Sequence, residues 1–260
     1  LPVLSLVTAN YFVAVGAAIT YRPLRIEAFL DLSFVGWAGL IGLGVLFILV
    51  FALTGYVARE IGVSLAGMLS KLSLVIPIGF AVVFLREPLA PKQRIGLGLA
   101  ILAIGLVHAP YLQEGGWQRL WRFLRWGLLL WLGNGVIDTL FKAMQPFWAA
   151  IPAENIPVVI MGSAGLIGLV LHFGQKQGQR LLSGRVWTGA LVLGLTNIAS
   201  VIFYLWGLRA LPAVSFFLSL NLGIVLLSGG IGVLFFRERF SWLVGMGYGA
   251  GLGAIALLAT

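Results

Sequence analysis

Apolar residues run along this chain in long unbroken stretches. They do not alternate as in a half-buried strand, nor form the single stripe of a soluble amphipathic helix. Ser33 to Ala58, Ala210 to Phe236 and Phe240 to Thr260 contain no Asp, Glu, Lys or Arg. A bilayer-spanning helix needs about 20 predominantly apolar residues. Segments 2–20, 34–55, 61–85, 93–110, 122–144, 155–173, 186–207, 211–236 and 240–259 meet that requirement and predict nine transmembrane helices. Continuous runs also exclude a membrane barrel, whose strands alternate. Turns such as Arg86-Glu87-Pro88 and Arg237-Glu238-Arg239 are brief, which predicts antiparallel packing of consecutive helices. The longest polar stretches, 111–122 and 174–186, are too short to fold as domains.

Two halves of the chain match each other in order. Phe51-Ala52-Leu53-Thr54-Gly55 is matched by Phe203-Tyr204-Leu205-Trp206-Gly207, and Val63-Ser64 by Val214-Ser215. Arg86-Glu87 pairs with Arg237-Glu238, Gly96 and Gly98 with Gly247 and Gly249, and Pro2-Val3 and Ala9 with Pro157-Val158 and Ala164. Such self-similarity marks a duplicated unit. The first repeat is 1–116, with four helices, and the second is 117–260, with five. Nothing in the first repeat corresponds to 122–144, so one further helix of about 25 residues is expected ahead of Leu1. The expected fold is an all-α integral membrane protein, nine visible helices of a ten-helix bundle. A unit of five spans reverses direction, which makes the two repeats inverted.

Composition narrows the function. The chain has 260 residues, 60% hydrophobic and only 10% charged, so lipid must solvate much of its surface. The net charge of +9 could suggest nucleic acid, but most of the cations sit in short connections between apolar runs, where headgroups account for them, and no nucleic acid partner is expected. With no cysteine, disulfides and thiolate metal sites are excluded. No GxxxxGK[ST] motif occurs, which excludes ATP drive through a P-loop in this chain.

The segment Lys71 to Gly105, KLSLVIPIGFAVVFLREPLAPKQRIGLGLAILAIG, resembles the signature of EamA-type members of the drug/metabolite transporter superfamily. Pro77 fills the central proline, Glu87 the glutamate turn, and Gly96 and Gly98 the glycine-rich helix that follows. The second copy keeps Glu238, Gly247 and Gly249 but has Ser228 in place of the proline. The resemblance implies ten helices in two inverted halves, with six of them around a central cavity. It implies a secondary transporter of the bacterial inner membrane, a monomer or weak dimer that works by alternating access, rather than an enzyme. No cofactor is implied. The implied partners are a small-molecule substrate, the lipid bilayer and a coupling ion such as the proton. The family carries amino acids, nucleotide sugars, drugs and other metabolites, and the resemblance selects none of them.

Helical spacing places polar groups on faces. Asn134, Asp138, Lys142 and Gln145 form one stripe; Ser64, Met68 and Lys71 form another. Asn197, Ser200 and Tyr204 share a face, as do Ser215 and Ser219, with Asn221 to one side. By the resemblance these faces line the cavity. Lys71 lies roughly ten residues into the 61–85 run, where a cation costs about 2.5–3.5 kcal/mol on insertion scales. It therefore needs a partner or water, and Asp138 is the natural counter-ion. Two readings stand side by side: Lys71 binds a substrate carboxylate or phosphate and Asp138 an amine or proton, or the two form a structural ion pair, with Lys142 serving Asp138 at i+4. Asn197, Asn221 and Tyr204 are candidates for substrate hydrogen bonds or for interhelical ones. Pro77 is a candidate hinge. Glu87 and Glu238 are expected to fix their turns, and Gly96 and Gly247 to let helices pack closely. His108 and His172 are expected near headgroups in structural roles. The competing classes are a membrane enzyme acting on a lipid-linked or small substrate and a channel. An enzyme would need clustered acids or histidines, and a channel fits a duplicated asymmetric chain poorly.

Overall fold

The computed structural model describes residues 3–61, 63–113, 117–174, 183–236 and 242–259. Its helices are α1 (Val3–Tyr21), a short α2 (Glu27–Leu30), α3 (Phe34–Ile61), α4 (Val63–Leu72), α5 (Val75–Val83), α6 (Pro91–Gln113) and α7 (Trp117–Met144). After a 3₁₀ turn at Gln145–Trp148 come α8 (Ile156–Gly174), α9 (Gly184–Ala210), α10 (Ala213–Phe236) and α11 (Trp242–Ala259). Among the described residues there is no strand. Of these helices, Val3–Tyr21, Phe34–Glu60 and Gly184–Ala210 are each long and apolar enough to cross a membrane.

Local chemistry sets the ends. Ser33 caps α3, its hydroxyl accepting the Gly36 amide at 3.2 Å, three residues into the turn. Pro91 opens α6, where a missing N–H costs nothing, and the Gln93 side chain reaches back to the Ala90 amide at 3.0 Å. Arg86 ends the α5 segment in a left-handed conformation, φ 54°, and the Glu87 amide donates to the Ala81 carbonyl at 3.0 Å. That bond reaches six positions back and satisfies a carbonyl left free at the end of the helix.

The predicted single helix over 61–85 is two helices, and Pro77 explains the break. Its ring has no N–H and crowds the carbonyl four residues earlier, that of Ser73. The chain turns there: the Ile76 amide bonds the Ser73 carbonyl at 2.9 Å, and the Ser73 hydroxyl bonds the Ser70 carbonyl at 2.7 Å.

The chain divides into two compact units, Leu1–Tyr56 with Leu140–Ala210, and Val57–Thr139 with Leu211–Thr260. In the first, α1 packs on α8 and α9. A Cβ on Gly165 would meet Phe12, one on Gly168 would meet Thr8, and His172 bonds Ser5, so α1 and α8 run antiparallel. At Gly194 of α9 a Cβ would lie 2.8 Å from the Asn10 carbonyl; only glycine permits that approach. In the second unit α6 packs on α11, and α10 lies against α4, α5, α6 and α11. The buried Gly96 and Gly247 belong to the α6 and α11 helices.

Among the described residues the most extensive packing joins helices far apart in sequence, while the consecutive α10 and α11 also touch. Short turns limit where the next helix goes, but small residues decide which faces touch. Each unit holds both members of the pairs matched by the sequence repeat: α1 with α8 and α3 with α9 in one, α4–α5 with α10 and α6 with α11 in the other.

Candidate functional site

The helix break of the second unit is where polar groups gather. Lys71 occupies the last turn of α4, half-buried, two residues before the buried Ser73. The α7 stripe faces it. Asn134 donates from Nδ2 to the Ser70 hydroxyl at 3.3 Å and to the Leu130 carbonyl at 2.8 Å. One turn on, Asp138 acts electrostatically on the Lys71 ammonium. Between them a Cβ on Gly135 would collide with Ile76, so α7 and α5 touch at that level. Pro77 is buried at the same junction. Lys71, Asp138 and Asn134 are therefore one group, together with Ser70, a residue that the periodicity argument passed over.

Lys142, also half-buried, lies on α7 beyond residue 139, in the other unit. In that unit Asn197 points its Nδ2 at the Oδ1 of Asn10, 3.5 Å away, and Asn10 is fully buried within α1. Tyr204 packs its ring on Phe141, centroids 5.1 Å apart. Asn10 was legible as a lone amide in an apolar run, yet no spacing argument linked it to Asn197. In the unit of Lys71, Ser219 is half-buried, while Asn221 is buried and donates to the Phe217 carbonyl of its own helix at 2.9 Å. Glu87 does more than hold its turn: it accepts the Ala213 amide at the start of α10, 2.9 Å away. Beside it Gln93 donates to Ser215 at 3.3 Å. Glu238 and the side chains of Ser64, Met68, His108 and Ser228 lie outside the described residues.

His172 lies in the last turn of α8, as its place at the end of the apolar run implied. It is fully buried and shares a 2.8 Å hydrogen bond with the Ser5 hydroxyl. One end of the same unit carries a charged cluster: Arg22 pairs with the largely buried Glu154 at 3.0 Å, and Glu154 also acts on Arg209. Arg209 in turn donates to the Trp148 and Ile151 carbonyls at 3.1 and 2.7 Å. An apolar cavity of about 330 Å³ opens between α1 and α9, lined by Ala17, Tyr21, Ala199, Ile202, Phe203 and Trp206 among others.

The group at the helix break is thus a cation, a carboxylate, an amide and a hydroxyl inside apolar helices. It can hold a polar solute by charge and hydrogen bonds. Residues 1–109, which contain Lys71 and the break, match the EamA-like transporter family. The match covers less than half of the chain. This similarity, with three described helices long and apolar enough to cross a membrane, points to a membrane transporter rather than an enzyme. The chain is similar to an uncharacterised protein of Haemophilus influenzae, 28% identical over 221 residues, covering 84% of this chain and 74% of the relative. A crystal structure of another protein matches it with a TM-score of 0.76 over 99% of this chain and 87% of that one. At 15% identity this likeness concerns the fold alone.

Proposed function

We propose that the protein is a secondary transporter that carries a small carboxylate-bearing metabolite, an amino acid or related zwitterion first among them, across the bacterial cytoplasmic membrane. Lys71 binds the carboxylate. Asp138 receives the amine, and Asn134 with Ser70 orients the solute between them. The observation that supports this reading is the Asn134–Ser70 hydrogen bond, which joins α7, one turn before Asp138, to the residue preceding Lys71 at a break in an apolar helix. Broken helices are where many carriers bind solutes, because the interruption frees backbone groups and leaves room beside them.

Transport proceeds by alternating access between two inverted repeats of a ten-helix bundle. Support comes from the antiparallel pairing of α1 with α8, the elements that the sequence repeat matches. The transporter acts as a monomer or weak dimer, and the break at Ser73 beside Pro77 serves as its hinge.

The test is solute flux. The full chain in lipid vesicles is screened with radiolabelled amino acids and monocarboxylates. Saturable uptake of one class is expected, reduced at least tenfold in Lys71→Ala and Asp138→Asn. Wild-type uptake that both variants retain overturns the site; no carrier-mediated uptake of either class overturns the proposed substrate.

A further inference from the structure

Two helices that match in sequence differ in what covers them. The repeat pairs α3 with α9, Phe51 with Phe203, and that register sets Gly36, Gly39, Leu40, Leu43 and Phe47 against Thr188, Leu191, Val192, Leu195 and Ala199. On α3 the stripe is closed by the end of α7 and the turn after it. The Trp148 indole donates to the Gly36 carbonyl at 3.0 Å, and a Cβ on Gly39 would collide with Met144. The Phe141 ring packs on Phe47 with centroids 5.9 Å apart, and Leu40 and Leu43 are fully buried. On α9 the same stripe lies open: Val192 is 66% exposed, Leu191 52% and Leu195 47%, and Thr188 and Ala199 are exposed as well. We propose that this face of α9 is covered in the whole protein by one further membrane-spanning helix, the first repeat's own counterpart of α7, which is expected ahead of Leu1. This goes beyond the solute reading above and does not rest on it.

The face is built to receive a helix. Its hydroxyls are satisfied within α9: Thr188 donates to the Gly184 carbonyl, Thr196 to Val192 and Ser200 to Asn197. Burying them under another apolar helix therefore orphans no polar group. Thr196, Ala199 and Ser200 are also small, and small residues let a second backbone approach closely inside a bilayer. The apolar cavity of about 330 Å³ opens on this side, with Leu195 and Ala199 of α9 and Ala17 and Tyr21 of α1 among its lining. Side chains of the covering helix fill it. The two stripes also fix where contact is deepest. On α3 the small positions are Gly36 and Gly39 and the large one is Phe47, whereas on α9 Thr188 and Leu191 are the larger and Ala199 the small one. The covering helix thus stands off near Thr188 and comes closest at Ala199, beside the cavity. Its apolar face carries its bulkiest side chains at that level.

Photocrosslinking tests the occupant directly. The full-length protein, in membranes of the cells that express it, carries p-benzoylphenylalanine at Leu195 or, in a second variant, at Val192. After irradiation the protein is digested and the linked peptides are identified by mass spectrometry. Links from these positions to the segment ahead of Leu1 in the same polypeptide are expected. Val170, exposed on α8, is the control position and is expected to give no such link. Links from Leu195 and Val192 to a second copy, to a separate protein or to lipid alone overturn the proposal. The same link from Val170 overturns it too, because it means random collision. Two positions are used so that poor folding of one variant leaves the other to decide. The result does not depend on transport: flux and crosslinking fail or succeed separately.

Discussion

The Glu87 carboxylate accepts the backbone amide of Ala213, 2.9 Å away and 126 residues later in the chain, and so caps a helix to which it does not belong. The first amides of a helix have no partner within it, and an anion at that end also meets the positive pole of the helix. The left-handed turn at Arg86 presents the carboxylate, and the Gln93–Ser215 bond fixes the same join beside it. Glu87→Ala is expected to lower stability by about 1–2 kcal/mol, as for other lost helix caps. Glu87→Gln, which keeps an acceptor, should lose less. Thermal unfolding in detergent measures both, and an alanine variant as stable as wild type would sink the capping role.

Gly194 is expected to tolerate no side chain. A methyl group there meets the Asn10 carbonyl and Val13, so α1 and α9 must separate. Gly194→Ala should cost about 1–3 kcal/mol, the usual range for overpacking. Gly42 is the control, since a Cβ there meets nothing within 4 Å. With no clash to offset it, Gly42→Ala should gain about 0.5–1 kcal/mol from helix propensity. Opposite signs for the two variants in the same unfolding assay are the diagnostic result.

Tyr11 is fully buried, with its ring against Phe47 and Phe51, and its hydroxyl has no hydrogen-bond partner. A buried unsatisfied hydroxyl forfeits its hydration without return. Tyr11→Phe is therefore expected to raise stability by about 1 kcal/mol, read as a higher unfolding temperature. A lower temperature would show that the hydroxyl has a partner in the membrane.

Glu154 serves two arginines, so the members of that cluster should not contribute equally. Removing Arg22, whose side chain is 41% exposed, leaves Glu154 with Arg209. Removing Glu154 leaves both cations unbalanced. Glu154→Ala should cost about 1–2 kcal/mol, below the figure for a fully buried pair because water reaches Arg22, and Arg22→Ala clearly less. A double-mutant cycle reads the coupling, and equal losses for the two single variants would contradict the shared-carboxylate arrangement.

The positions of the helices were written in the sequence. Every backbone hydrogen bond of a helix closes within four residues, so an apolar run such as 34–55 or 211–236 specifies its own element wherever it packs. Pro77 marked a kink within the 61–85 run, because its ring acts on a carbonyl at a fixed distance along the chain, but not that the run divides into two helices at Ser73. Lys71 and Asp138 were legible as candidates for one another, since a charge deep in an apolar helix needs a partner. The partners of Asn10, His172 and Glu87 were not legible. Each bonds a residue more than a hundred positions away, at Asn197, Ser5 and Ala213. Helix spacing says which way a side chain faces but not which helix it meets. Only the tertiary structure decided that, because contact between helices depends on the shapes of two faces at once: Gly194 admits the Asn10 carbonyl of α1, and a larger residue at that one position would exclude it.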